Sequence, residues 1–287
     1  MIRTLLWGLV VVGMCGGAAQ GLMITVQDAT PAGNDPAVQD TTIRMPTTNV
    51  PAMGDNNYGA EQDTIFFAET KFQNTAAYQA RHNLFRFDVS ALNDKPITSA
   101  TFGFYIHGKN SSNASPKITG AHLSRFLAGK DWIEGVHDDV TATAGEVCWN
   151  WRKYNTTAWA TAGGTGAADI DTAGQQTFDI AASVVNGELR KIERDVTSFV
   201  QTWTSGTHEN NGMQLWGGAS AINQTGNIWW AVVTSENPGG ATGYKDASGN
   251  PVSITTAMRP YLKVEYTPEP ASLLLLGLGG LLWRRRR

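Results

Sequence analysis

The chain has 287 residues, a formal net charge of −3 and only 16% charged side chains. With 22 Lys+Arg against 25 Asp+Glu it carries no basic footprint, which excludes general nucleic-acid binding. Low charge, many turn formers, short apolar runs and just two cysteines suit an extracellular all-β protein rather than a disulfide scaffold.

Met1-Ile2-Arg3 is a short positive segment, and Leu5 to Met14 is apolar throughout. Small residues follow at Gly16, Gly17, Ala18, Ala19 and Gly21. This is the pattern of a secretory signal peptide over residues 1–21, too short for a spanning helix. Cys15 follows Met14, where a lipidation site needs a small residue, so a cleaved signal is the better reading. Once Cys15 leaves, Cys148 stands alone and no intramolecular disulfide can form.

Residues 22–39 read as a leader strand and a Pro/Gly/Asn turn. Strands are expected over 40–45, 64–70, 83–89, 97–106 and 118–126. The fourth has the clearest alternation, with Ala100, Phe102, Phe104 and Ile106 on one face. Residues 108–117 form a Gly/Asn/Ser hairpin tip. Residues 129–173 are irregular and rich in Trp, Gly and Asp. A short strand is expected at 176–180. Val196, Phe199, Val200 and Trp203 then follow helical spacing, with Asp195 or Thr197 as the cap. Closing strands fall at 212–217, 227–234 and 260–266. No linker or internal repeat divides residues 40–266. The expected architecture is all-β, a jelly-roll β-sandwich with one short helix, flanked by the signal peptide and a C-terminal apolar tag. The divisions are 1–21, 22–267 and 268–287.

The last segment reads Pro268-Glu269-Pro270-Ala271-Ser272, then an uncharged apolar stretch to Trp283, then Arg284 to Arg287. A helix over 271–283 would cover roughly 20 Å, short of the roughly 30 Å hydrocarbon core of a bilayer. The pattern resembles the PEP-CTERM sorting tag of Gram-negative bacteria, with Pro268, Glu269 and Pro270 as the sorting motif. The resemblance implies an exosortase-type sorting protease as partner, cleavage near the motif, transient membrane contact through the tag, and delivery to the cell envelope or extracellular matrix. Loss of both ends leaves 17 Lys+Arg against 24 or 25 Asp+Glu, a net charge of about −7 to −8.

An ordered set of short motifs spans most of residues 40–266. It comprises Asn57-Tyr58-Gly59, Leu84-Phe85-Arg86-Phe87-Asp88, Ile97-Thr98-Ser99-Ala100-Thr101-Phe102, Asp131-Trp132-Ile133-Glu134 and Cys148-Trp149-Asn150. Trp159 to Gly164, Asp195-Val196-Thr197 with Trp203, Asn211-Gly212, Ser235-Glu236 and Arg259-Pro260-Tyr261-Leu262 complete it. Together these resemble the DNRLRE-type, disaggregatase-related β-sandwich modules, which are similar to a carbohydrate-binding-module family. The resemblance implies a jelly roll and polysaccharide binding. The string Asp-Asn-Arg-Leu-Arg-Glu itself is absent, and no catalytic neighbour is attached.

Trp149, Trp151, Tyr154 and Trp159 cluster with Arg152 and Lys153 in the irregular segment. Sugar rings stack on aromatic faces while cations and amides bond the hydroxyls. Large aromatics also fill cores, which is the bland reading of Trp132, Trp149 and Trp203. Trp229 and Trp230 are adjacent, so a strand sends them to opposite faces. The candidate sugar-binding set is Trp151, Arg152, Tyr154, Trp159 and Trp230. Arg81, Arg86 and His107 would meet uronates on a solvated face; an inward Arg86 would need a carboxylate such as Asp88 or Glu236. Asp169 and Asp171, beside Gly163-Gly164-Thr165-Gly166, are the candidate metal residues. No cofactor is called for outright, and a structural calcium is the one candidate. The histidines show no HExxH spacing, and no Gly-x-Ser-x-Gly elbow occurs. The expected function is an exported, non-catalytic surface or matrix module that binds polysaccharide. The alternative is a structural matrix or adhesion protein without a sugar site; a polysaccharide lyase or glycoside hydrolase comes third.

Overall fold

Alternation along Phe102, Phe104 and Ile106 drives all three side chains to one side of a long strand, where each is fully buried. The computed structural model describes residues 21–30, 35–46, 51–66, 70–71, 78–109, 118–180, 187–217 and 229–268. The signal peptide, the hairpin tip at 110–117, the tag beyond Pro268 and the side chains of Trp229 and Trp230 lie outside the described residues.

The principal strands are β1 Leu22–Gln27, β2 Val38–Arg44, β3 Asp63–Phe66, β4 Arg81–Phe87, β5 Ile97–Lys109 and β6 Ile118–Arg125. They continue with β7 Gln176–Ile180, β8 Leu189–Asp195, β9 Met213–Gly217, β10 Trp229–Val233 and β11 Tyr261–Tyr266, and the helix is α1 Thr197–Thr204. The strands form two antiparallel sheets. The first runs β1–β11–β5–β10–β3, with β8 also on β5; the second runs β7–β6–β9–β4–β2. Residues 101–103 of β5 pair with both β8 and β11, and 106–107 with both β8 and β10. So β11 and β10 lie end to end along one edge of β5, and β8 takes the other.

The sheets share one core. Phe85, Phe87, Ala121, Leu123, Met213 and Leu215 enter from the second sheet; Phe102, Phe104, Ile106, Ile192, Val232, Leu262 and Val264 enter from the first. Phe85 and Phe102 meet at a centroid distance of 4.9 Å. The helix closes one end with Phe199, Val200 and Trp203. Asp195 Oδ1 accepts the Thr197 N–H at 2.8 Å, so the predicted acidic cap acts from two positions ahead of the first helical residue, with Val196 between them.

Strand β8 was not among the expected elements. Leu189 and Ile192 are its buried apolar residues, three apart, among Arg190, Lys191, Glu193 and Arg194. Ile192 faces the shared core while Leu189 packs outside it with Val233 and Ile254. A strand buried at one point on each face shows no period-two signal.

Residues 129–173 are mostly irregular, as expected, with a short hairpin of Trp151–Lys153 against Thr157–Ala158. They cover the outer face of the second sheet and make a second core. Ile43 and Leu84 from the sheet pack there with Phe126, Trp132, Val147, Trp149, Trp159 and Ile170. No helix among the described residues is long and apolar enough to cross a membrane.

Candidate functional site

The covering loop is held from beneath by buried polar contacts. Trp132 Nε1 donates to the Asn211 carbonyl at 2.9 Å, and Trp159 Nε1 donates to the Cys148 carbonyl at 3.0 Å. The Trp159 ring stacks on Phe126 at 5.2 Å. Gly163 sits at φ 84°, and a Cβ there would come within 2.7 Å of the Trp149 ring. Its carbonyl accepts from Gln214 Nε2 at 2.6 Å and lies 2.8 Å from His82 Nδ1. Burial depresses His82 to about 4, so this ring is a neutral structural group at physiological pH. Burial likewise pushes the Cys148 thiol up to about 12 and leaves it inert.

On this base the hairpin lifts a different set of side chains. Trp151, Arg152, Lys153 and Tyr154 are all half-buried, in contrast to Trp149 and Trp159. The Trp151 and Tyr154 rings meet edge to face at 6.3 Å. Arg152 Nη1 donates to Asp131 Oδ1 at 2.8 Å, and Lys153 Nζ reaches Asp131 Oδ2 at 2.5 Å. Burial raises the Asp131 carboxyl, but Lys153 and Arg152 outweigh it and hold the group below the usual carboxylate range. Tyr154 bonds to Gly145 through its carbonyl and to Glu146 through its N–H. Ile133, beside Gly145, is 51% exposed.

The structure brings Trp151, Arg152 and Tyr154 together on one hairpin. It places Trp159 in the second core, where its ring is closed to a ligand. The Trp230 side chain lies outside the described residues. Arg86 lies on the covered face of β4, over Trp132 at 5.2 Å, and donates to Gln39. Burial lowers its pKa; the charges beside it are Asp131 and Glu134, rather than Asp88 or Glu236. Arg81 is buried next to Arg44, which pairs with Glu61 and lies 3.8 Å over the Tyr58 ring. His107 is buried against Tyr244. Neither Arg81 nor His107 is on a solvated face.

Asp169 and Asp171 serve protein donors. Asp169 accepts the N–H groups of Ala160 and Thr161 and pairs with Lys130 at 3.3 Å. Asp171 accepts from Arg125 Nε at 2.9 Å and from the Ala173 and Gly174 N–H groups.

A second group of carboxylates lies at the open edge of β2. Asp40, Glu134 and Glu236 each offer an oxygen within 4.8 Å of the others. Glu134 Oε1 accepts the Asp40 N–H at 3.0 Å, capping the edge strand. The Ser235 hydroxyl faces both Asp40 and Glu236, at 2.7 Å from Glu236 Oε1, and its N–H donates to Asp40 Oδ1 at 3.1 Å. Glu236 Oε2 is buried, and the Glu134 and Glu236 carboxyls lie within hydrogen-bond reach of each other when one is protonated. Burial raises all three carboxyls. Asp40 goes to about 6, Glu236 to about 9 with the Asp40 charge adding to burial, and Glu134 rises well above its ordinary value beside Glu236 and Asp40. The buried cation nearby, Arg259, is directed to the Asn237, Asp28 and Thr30 carbonyls. Three such groups must share protons or a cation. Calcium holds carboxylate oxygens at 2.3–2.6 Å, which places them at most about 5 Å apart, so the spacing fits that ion. Sequence reading missed this trio because its members lie far apart in the chain; Glu236 entered it as a carboxylate for an inward Arg86, and Glu134 beside Asp138 and Asp139.

A sequence model described as the PEP-CTERM protein-sorting motif matches residues 267–287. No curated protein matches the chain. The motif marks an exported protein, sorted to the cell envelope by an exosortase.

Proposed function

We propose that the chain is a non-catalytic surface module, one domain over residues 22–267, that binds polysaccharide through the Trp151–Tyr154 hairpin. The observation that carries this reading is the pair of half-exposed rings flanked by Arg152 and Lys153, both fixed by Asp131. Such a platform offers ring faces for sugar C–H groups and cations for hydroxyls or uronates, with little left to order on binding. The strand order supports a jelly roll: β3–β10–β5–β8 packs on β4–β9–β6–β7, as two interleaved four-stranded sheets do in that fold. It agrees with the DNRLRE-type resemblance of residues 40–266.

A hydrolase is the weaker reading. Glycosidases place two carboxylates about 5–10 Å apart across an open cleft. Asp40, Glu134 and Glu236 instead converge at the β2 edge, with oxygens within 4.8 Å of one another and no such separation between them. Calcium at that trio would be structural. The experiment is affinity electrophoresis of the mature chain against a panel of neutral and acidic polysaccharides, with and without calcium, scoring each gel for substrate loss. Retardation on an intact polysaccharide is expected. No retardation with any glycan would leave the structural matrix reading, and loss of a polysaccharide would make the protein an enzyme.

A further inference from the structure

Tyr266, the last residue of β11, pairs across the ladder with Leu22, the first residue of β1. Thr267 still donates its N–H to the Pro96 carbonyl at 3.0 Å, and Pro268 is buried. The sorting match begins at residue 267, and its Pro-Glu-Pro begins at Pro268. No spacer separates the sheet from the motif. Peptide-binding sites commonly hold an extended chain by main-chain hydrogen bonds, as in strand addition. Here the residues just upstream of the motif already make those bonds, to β1, to β5 and to Pro96. The seam they close is weak on one side. β1 is an outermost strand, and none of its first four residues is buried. Strand ends of this kind open locally without global unfolding.

We propose that the sorting enzyme engages this chain only when the end of β11, Tyr266 to Pro268, is released from Leu22 and Pro96, so that opening of the strand end gates sorting. The proposal rests on the sorting reading of the tag. Leu22 also directly follows the segment read as a signal peptide, so both export signals enter the fold at one rung of one ladder.

The test follows tag removal over time, by mobility and mass, in cells that carry the exosortase. Full-length chains are compared with and without a flexible Gly/Ser spacer between Thr267 and Pro268. The spacer should speed conversion roughly tenfold, the order set by one or two backbone hydrogen bonds. Leu22→Cys together with Tyr266→Cys places thiols directly opposite in an oxidising compartment. That chain should convert more slowly and recover the wild-type rate with reductant. Equal rates with and without the spacer overturn the gate. Deletion of 268–270 is the control: conversion that survives it removes the sorting reading, and the gate with it.

Discussion

Glu236 stays folded only as a neutral acid or beside a cation. Its carboxyl is raised from 4.5 to about 9, and Asp40 from 3.8 to about 6, in both cases chiefly by burial. A carboxyl with a higher pKa in the folded state stabilises the fold fully below its unfolded value and loses that contribution as pH rises through the folded value. In divalent-free buffer the thermal midpoint should therefore fall from about pH 5 to about pH 9. Glu236→Gln should flatten that slope and raise the midpoint at about pH 8, by about 2–4 °C for each kcal/mol recovered. Calcium competes with protons for these oxygens, so it should raise the wild-type midpoint more at about pH 8 than at about pH 5. Equal shifts at both would place any ion elsewhere. The tryptophans divide by burial in the same way. Trp159→Ala should cost about 3–5 kcal/mol in a urea melt, as removal of a packed aromatic does. Trp151→Ala should cost about 1 kcal/mol or less, because its ring is only half-covered.

At the scale of elements, the strands with one solvated or one shared face were readable, and those with divided burial were not. β5 and β11 alternate cleanly and were placed within a few residues. β8 buries one residue on each face and carries charges between them, so neither period appears. The covering loop was readable as irregular and Trp-rich, but its sides were not. Trp149, Trp151 and Trp159 have the same sequence character, and only the hairpin register decides which ring turns inward. Gly163 pins the loop at Trp149, donating its N–H to the Trp149 carbonyl at 2.8 Å. Gly163→Ala should destabilise by more than about 1 kcal/mol, through its positive φ and its approach to Trp149. A Gly163→Ala variant with an unchanged denaturation midpoint would show that the loop is not pinned there.

For the whole molecule, the covering loop joins the two informative regions, carrying the platform and supplying Glu134 to the carboxylate trio. The platform rides on the outer face of the second sheet, over the second core, and the carboxylate trio closes that sheet's β2 edge. The platform was legible in part, because its residues are neighbours in sequence. The trio was not, since Asp40 and Ser235 stand 195 residues apart and meet only once β2 and the chain after β10 are in place. The sorting tag was the most legible feature of all, being a linear signal that needs no fold.

The most direct measurement is affinity electrophoresis of wild type beside the Trp151→Ala/Tyr154→Ala double variant on the polysaccharide that retards the wild type most. Loss of two stacking rings should weaken retention about tenfold or more while the thermal midpoint stays close to wild type. Undiminished retention by the double variant would contradict the platform as the sugar-binding site.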